Sequence, residues 1–270
     1  MKKNPGAKLF VDSHSDYSNS GRNFLSKHIL HGMLWRGKIQ KLVPYTEKFF
    51  GVLPARVDFL LERYHTPKEK TELLVMGMDD DLAEAAASKE CQNATREKLN
   101  ISPEDFCIVS GGKIDGAKWQ TLLLMEAVHA IDNPHLKLVV FGSVTEDIKP
   151  RFEEALKKDN RIQYIGWVKA NDTYPYFAAA DLVIFPGRHS VMWEQVAGQG
   201  IPMLVKYWAG TTHVNLGGNV HLLQEDSALE IRKEIESLMD RGEKYQNMKE
   251  NAAKGREVFS YRAISKRAIQ

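Results

Sequence analysis

A carboxylate in apolar surroundings is the first residue of this sequence that suggests binding chemistry. Glu194 lies in the stretch SVMWEQVAGQGIP (190–202), where a short helix would place it on one face with Val191, Ala197 and Gly198. A carboxylate on that face is half buried, and an unpaired buried charge is unfavourable. Glu194 therefore needs either a basic partner in the fold or a ligand that donates hydrogen bonds, such as a ribose diol.

A glycine-rich segment with two lysines is the second such feature. SGGKIDGAK (110–118) precedes a helical pattern, and the N–H groups of such a loop and of a helix N-terminus favour an anion. Lys113 and Lys118 add positive charge. GxxxxGK[ST] and GxGxxG are both absent, so the segment matches neither standard nucleotide motif. A tight strand-to-helix turn with two solvated lysines is the alternative interpretation.

A third group of polar residues directly precedes the helix of Glu194. In PGRHS (186–190), Ser190 is a good N-cap residue, and Arg188 and His189 would lie where a helix N-terminus meets a ligand. Each of these residues also has an interpretation that needs no ligand. Glu194 would pair with a basic neighbour in the fold, and His189 would have a structural role.

Regular alternation of apolar runs and helical patterns begins near residue 104. The apolar runs predict buried strands, at 106–110, 136–142, 161–166, 181–186, 202–206 and 219–223. Helical patterns occupy the gaps, at 119–131, 148–159 and 171–180. This order predicts a parallel sheet covered on both faces, with ligands beyond the carboxyl ends of its strands. The three groups above all follow, or lie close to, such strand ends.

The first hundred residues predict a smaller α/β region. Strands are expected at 7–12, 38–43 and 71–76, and helices near 20–34 and 54–64. We therefore expect four parts in the chain: a partial N-terminal α/β domain (1–85), a linker (86–103), a Rossmann-like domain (104–255) and a C-terminal helix (256–270), which a family resemblance identifies as a crossover helix.

Composition excludes several classes of protein. The chain has 270 residues and a net charge of +2, which gives no indication of nucleic-acid binding. Two cysteines do not form a disulfide framework and suit a reducing compartment. No apolar run approaches the ~18 residues that span a bilayer, and no signal peptide is evident. We expect a cytoplasmic protein.

The ordered set of motifs resembles the retaining glycosyltransferases of family 4 (group 1), including bacterial surface-polysaccharide enzymes. These have the GT-B architecture of two facing Rossmann-like domains. The segments that carry the resemblance are LLVMGMDDD (73–81), GGKIDGAKWQTLLLMEA (111–127), EQVAGQGIPML (194–204) and VFSYRAISKRAI (258–269).

The resemblance implies a nucleoside-diphosphate sugar as co-substrate, with a UDP-sugar as the first expectation, and with no other cofactor and no metal. Lys113 and Lys118 would contact the donor diphosphate and activate its departure, and Glu194 would hold the ribose. The residues implied at the donor site are Gly111, Gly112, Lys113, Lys118, Gly166, Arg188, His189, Ser190 and Glu194. His14 and Gly77 are implied at the cleft. No catalytic nucleophile is evident.

Two departures from the family pattern affect these expectations. The family often has Glu-x7-Glu, but Pro186 stands eight residues before Glu194, so the sugar contacts differ. The N-terminal part is shorter than a full acceptor domain, which suggests a fragment, a degenerate relative or a split enzyme whose partner chain supplies the missing half.

Sugar transfer to a glycan or lipid-linked acceptor is the expected activity. A non-catalytic nucleotide-sugar-binding subunit and a GT-B sugar epimerase are the alternatives. The aromatic and basic stretch 33–56 suits contact with an acceptor or with a membrane surface, although a plain amphipathic exterior is the favoured interpretation.

Overall fold

Two all-parallel sheets organise the computed structural model, which describes residues 6–270. The chain separates into two compact units. The first extends to Met76 and includes Ala209–His213, and the second contains Gly77–Trp208 and Val214–Gln270. The predicted α/β class is confirmed. The first five residues of the predicted domain 1–85 lie outside the described part.

The first unit contains a three-stranded sheet in the order β1-β2-β3. Its strands are β1 (Leu9–Ser13), β2 (Thr46–Gly51) and β3 (Thr71–Leu73). Its helical segments are a π-helical one (Leu25–Trp35), α1 (Arg36–Leu42), α2 (Pro54–Phe59) and a second π-helical one (Leu60–Tyr64). Phe49, Phe59, Leu60 and Tyr64 form its buried core.

The predicted strand at 38–43 is wrong, because this segment belongs to α1 and the turn after it. Ile39 and Val43, four residues apart on a helix, both pack against the core of the first unit. The strand lies instead at β2, which contributes the buried Phe49 and Phe50. Short apolar segments are often ambiguous between the two periods.

The second unit contains a six-stranded sheet in the order β6-β5-β4-β7-β8-β9. All six predicted strands are confirmed, as β4 (Phe106–Gly111), β5 (Leu136–Phe141), β6 (Ile162–Tyr164), β7 (Leu182–Phe185), β8 (Met203–Lys206) and β9 (Val220–Leu223). The strand order reverses between β4 and β7. In open parallel sheets, a crevice forms at the carboxyl ends of the strands at such a reversal.

Ten helices accompany this sheet within the described residues. They are α3 (Asp80–Ala86), α4 (Lys89–Lys98), α5 (Thr121–His129), α6 (Lys149–Lys158), α7 (Tyr174–Ala178), α8 (Met192–Gln199), α9 (Ala228–Glu236), α10 (Glu243–Ala253), α11 (Gly255–Val258) and α12 (Tyr261–Ala268). The expected linker 86–103 thus contains the helix α4. No helix in the described part of the chain is long and apolar enough to cross a membrane.

The closing segment of the chain packs within the second unit. Met78 N–H donates to Phe259 O at 2.8 Å, and Tyr261 N–H donates to Met78 O at 3.2 Å. Arg262 on α12 pairs with Glu84 at 2.9 Å and with Asp81. These bonds attach α12 to the start of α3.

Helix α8 is held close to α11 through small residues. A Cβ built on Gly255 would lie 1.9 Å from Ala197 O, and one on Gly198 would lie 2.8 Å from the Met78 side chain. The backbone of α8 and the start of α11 therefore approach too closely for any side chain at Gly255. This contact fixes the helix that carries Glu194.

We expect Gly255→Ala to lower the free energy of unfolding by about 1–3 kcal/mol, because the clash is with backbone and requires the helices to separate. Chemical denaturation followed by circular dichroism measures the change. Gly116→Ala is the matched control, since its nearest neighbour is a movable carboxylate oxygen of Asp147 at 3.3 Å. Equal stability of the two variants would contradict the close approach of α8 and α11.

Candidate functional site

The segments that the sequence analysis selected for chemistry meet at the crevice edge of the six-stranded sheet. SGGKIDGAK (110–118) leaves the carboxyl end of β4, and PGRHS (186–190) leaves that of β7. These are the two strands between which the order reverses. A Cβ built on Gly187 would lie 3.7 Å from Lys118 Cα, so the two loops are in direct contact.

Glycines let the loops after β4, β5 and β6 approach one another. Gly112 and Gly142 have φ of 122° and 127°, and a Cβ on Gly142 would lie 1.8 Å from Gly112 O. Gly142 N–H donates to Gly166 O at 2.8 Å, and Gly166 has φ of 75°. The space for a Cβ at Gly111 is filled by the Phe141 ring. The edge is therefore formed by backbone, with open space beside Gly112 and Gly166.

Asp115 shapes the lysine-bearing loop. Its Oδ1 accepts hydrogen bonds from the N–H groups of Ala117 at 2.9 Å and Lys118 at 3.1 Å, and its Oδ2 pairs with Lys113 Nζ at 3.0 Å. Burial by itself would raise the pKa of Asp115, but these bonds together hold it below its ordinary value. The carboxylate thus stays ionised and fixes the turn that leads into Lys118.

Lys118 is the partly buried cation of this edge. Burial lowers its pKa, and the positive charges of Lys113 and Arg188 lower it further, against the opposing effect of Asp115. The Arg188 guanidinium lies over the Trp208 ring, 5.6 Å from its centroid. Lys118 therefore lies among two further basic side chains and the carboxylate of Asp115, and an anion placed there would stabilise its charged form.

Glu194 is fully buried in α8, deeper than the half-buried position that its sequence setting predicts. His189 Nε2 lies 2.9 Å from Glu194 Oε1, and the His189 ring packs edge-on against Trp193 with centroids 5.0 Å apart. A partner within the fold is thus present. The alternative interpretation of the sequence, a glutamate paired with a basic neighbour, describes this contact.

Ser190 does not cap α8, contrary to expectation. The N-cap residue is Val191, and no side chain accepts a hydrogen bond from the N–H groups of the first turn. Ser190 contributes its carbonyl instead, which accepts from Trp193 N–H at 3.0 Å. The helix therefore begins one residue later than expected.

A polar group behind the loops was not anticipated from the sequence. Gln120 is buried, and its Nε2 donates to Asp226 Oδ2 at 3.4 Å, while Lys206 Nζ lies 3.3 Å from Asp226 Oδ1. Gln120 Oε1 would lie 3.2 Å from a Cβ on Gly187. The one sequence feature that could have indicated this group is Lys206, a charged residue at the end of a buried strand. Asp226 follows β9 in a loop with no distinctive sequence pattern.

The two residues expected at a cleft, His14 and Gly77, each have a contact within their own unit. His14 follows β1 in the first unit, where its Nε2 lies 2.9 Å from Asp12 Oδ2 and its side chain is exposed. Gly77 is buried in the second unit, and a Cβ there would lie 2.4 Å from Phe259 O. Gly77 therefore permits close packing of the closing segment.

Two cavities of the second unit are lined largely by its helices. One of about 790 Å³ is lined by α3, α4 and residues 165–176, including the exposed Trp167. The other, of about 550 Å³, is lined by α3, α4, the end of α8 and α10–α12. The crevice edge is open to solvent, whereas these two cavities are bounded by helices.

Comparison with known proteins gives one family match. Residues 106–239 match the profile of the family described as Glycosyl transferases group 1. This segment contains both crevice loops, Lys118 and Glu194. No curated protein matches the chain.

Several solved structures have a similar fold. Anabaena HepE in complex with UDP and glucose has a TM-score of 0.71 at 16% identity, with 97% of this chain and 70% of that one covered. A glycosyltransferase from Rickettsia africae gives 0.74 at 16% identity, covering 97% and 69%. WaaG, a glycosyltransferase involved in lipopolysaccharide biosynthesis, gives 0.69 at 16% identity, covering 99% and 78%. At these identities, the structural likeness establishes the GT-B fold, and residues 106–239, which contain the six-stranded sheet, match the group 1 glycosyltransferase family.

Proposed function

We propose that this glycosyltransferase is a retaining enzyme of family 4 that transfers a sugar from a UDP-sugar to a glycan or lipid-linked acceptor. The observation that carries the proposal is the junction of the β4 and β7 loops, where Lys118 and Arg188 accompany backbone opened by glycines. A diphosphate supplies the negative charge that this junction lacks. The UDP complex of HepE, a structure of the same fold, supports the choice of base.

The diphosphate binds at Lys118 in this proposal, with Gly111 and Gly112 providing backbone close to it. Lys113 forms an ion pair with Asp115 at 3.0 Å and exchanges it for a phosphate oxygen when the donor binds. Negative charge builds on the diphosphate as its bond to the sugar breaks, and fixed positive groups stabilise that charge. Lys113 and Lys118 therefore activate the donor.

Transfer with retention places the acceptor on the face from which the diphosphate departs. The bond between the anomeric carbon and the phosphate oxygen breaks, and the acceptor oxygen bonds to that carbon. The acceptor proton passes to the departing phosphate oxygen. This route uses no protein nucleophile, in keeping with the absence of an evident one from the sequence.

Glu194 holds the ribose of the donor, with His189 orienting the carboxylate through the 2.9 Å contact. A carboxylate oxygen accepts a hydroxyl hydrogen bond at little cost when it is already fixed in place. Gly166, which has open space around it, lies toward the base, and Arg188, His189 and Ser190 lie toward the sugar and distal phosphate. Assembly of a surface polysaccharide in the cytoplasm is the proposed setting.

Calorimetry with UDP, GDP and ADP in the absence of metal tests the donor site. We expect UDP binding to weaken roughly 10- to 100-fold in Lys118→Ala, which removes a charged donor, and in Glu194→Gln, which replaces a charged acceptor with a neutral amide. Glu194→Gln retains the size of the buried side chain, and thermal melting verifies its fold. Lys137→Ala, at the amino end of β5, is the matched control.

Unchanged UDP affinity in both site variants would refute this donor site. UDP binding without transfer to any acceptor supports a nucleotide-sugar-binding subunit that acts with a partner chain. Conversion of the donor sugar without an acceptor supports an epimerase. Product analysis by NMR distinguishes these outcomes and reads the anomeric configuration.

The lowered pKa of Lys118 predicts that UDP affinity declines at alkaline pH. An anion stabilises the protonated lysine, so the pKa of Lys118 is higher in the complex than in the free protein. Affinity is then full below the pKa of the free protein and falls, approaching tenfold per pH unit, until the pKa of the complex is reached. The fall begins below the ordinary lysine pKa of 10.5.

Calorimetric Kd values across this pH range measure the effect. Lys118→Arg is the control, because a guanidinium remains charged throughout and should remove the dependence. The same decline in wild type and Lys118→Arg would assign it to another group and contradict the proposal for Lys118.

A further inference from the structure

The first unit carries an apolar helix surface that its own core leaves uncovered. The helix begins with the π-helical segment Leu25–Trp35 and continues directly into α1. We name its outward side the exposed helix face and define it by Leu25, Ile29, Leu30, Met33, Leu34 and Trp35, all of which are exposed. Leu25, Met33 and Leu34 are each more than half exposed, at 65%, 68% and 59%.

The opposite side of the same helix is firmly anchored. His31 is buried, with Nδ1 2.7 Å from the Tyr64 hydroxyl and Nε2 2.8 Å from Ser20 Oγ, and its ring packs edge-on against Phe59. Burial first, and the charge of Arg63 second, lower the pKa of His31, so its imidazole is neutral at pH 7. The helix is therefore a fixed part of the unit, and its apolar face is a stable feature of the surface.

The chain segment that contains the exposed helix face carries charge of a single sign. Between Asp16 and Glu47 the sequence has five basic residues and no acidic one. Arg36, Lys38 and Lys41 are exposed, and within the described residues none of them forms an ion pair. Lys38 Nζ lies 5.4 Å from the centre of the Trp35 ring. Basic and aromatic side chains thus border the apolar face.

This combination distinguishes a lipid surface from a protein partner. Protein interfaces are depleted of lysine, whereas a helix that lies in the bilayer surface combines an apolar side with Lys, Arg and Trp at its border. The basic residues attract anionic headgroups, and the apolar side chains enter the boundary of the acyl chains. Charge complementarity therefore selects an anionic membrane as the occupant.

We propose that the exposed helix face docks the protein on the surface of an anionic lipid bilayer. Leu25, Met33 and Leu34 insert among the lipids, and Arg36, Lys38 and Lys41 contact the headgroup phosphates. The proposal is independent of the donor site, because every residue it uses lies in the first unit.

Co-flotation with vesicles tests the proposal. The probes are phosphatidylcholine vesicles containing about one third phosphatidylglycerol, and pure phosphatidylcholine vesicles. We expect binding to the anionic vesicles, weakening as salt is added, and much weaker binding to the neutral ones. Loss of three charges in Arg36→Gln/Lys38→Gln/Lys41→Gln should lower the affinity roughly 100-fold, at a contribution of about 1 kcal/mol for each basic residue.

Two further variants complete the test. Leu25→Ser/Met33→Ser/Leu34→Ser should also abolish flotation with a normal circular dichroism spectrum, since these side chains are exposed. Lys249→Gln/Lys254→Gln/Lys266→Gln removes the same charge from exposed positions of the second unit and should leave binding unchanged.

Three outcomes would overturn the proposal. Equal binding to neutral and anionic vesicles would exclude the electrostatic contribution. An equal loss in the second-unit control would show attraction by overall charge. Failure to float, together with a dimer that the serine variant converts to monomer in light scattering, would assign the face to contact between two copies of the chain.

Discussion

The close approach of backbone at the carboxyl edge of the six-stranded sheet is the constraint on which the candidate site depends. Gly142 allows no side chain because Gly112 O already occupies the space, and its N–H is bonded to Gly166 O. Three consecutive strand ends are thereby joined through main chain. A ligand that approaches this edge meets fixed peptide dipoles, whose positions do not depend on side-chain rotamers. Such fixed dipoles stabilise charge with little reorganisation.

Charged side chains have different partners at the amino and carboxyl edges of the six-stranded sheet. At the amino edge, Asp181 accepts hydrogen bonds from Cys107 N–H at 2.8 Å and Arg96 at 3.3 Å, and Arg241 lies 3.2 Å from its other oxygen. These pairings neutralise the carboxylate within the fold. At the carboxyl edge, the pKa of Lys118 is lowered by burial and by like charges. The structure thus pairs charge within the fold at one edge and gathers Lys113, Lys118 and Arg188 at the other, where the proposed function places an anionic donor.

Most of the second unit was predictable because its strands are buried on both faces. Continuous apolar runs such as 136–142 have no competing helical period, so all six strands appear where expected. The first unit was harder: Ile39, Leu42 and Val43 fit a helix as well as a strand, and the correct strand β2 carries polar residues before Phe49. Local pattern could not decide between them, since the outcome depends on which segment reaches the core.

The candidate site shows the same limit at the level of side chains. Loops after strands could be located from glycines and lysines, and the burial of Glu194 followed from its apolar neighbours. The contact of His189 with Glu194 and the change of N-cap from Ser190 to Val191 depend on a turn that propensity does not specify. The group of Gln120, Lys206 and Asp226 joins three segments distant in sequence, so no spacing could reveal it.

The exposed helix face depends on local winding in a way that an ideal period would not anticipate. Arg36 N–H donates to His31 O, five residues earlier, so this segment is wound more widely than an α-helix. Residues four and five positions apart then share a side, and Leu25, Ile29 and Leu30 lie together while His31 turns inward. The wider turn both broadens the apolar surface and places the neutral imidazole against Tyr64. The π-helical winding of this segment therefore determines both the exposed helix face and the inward position of His31.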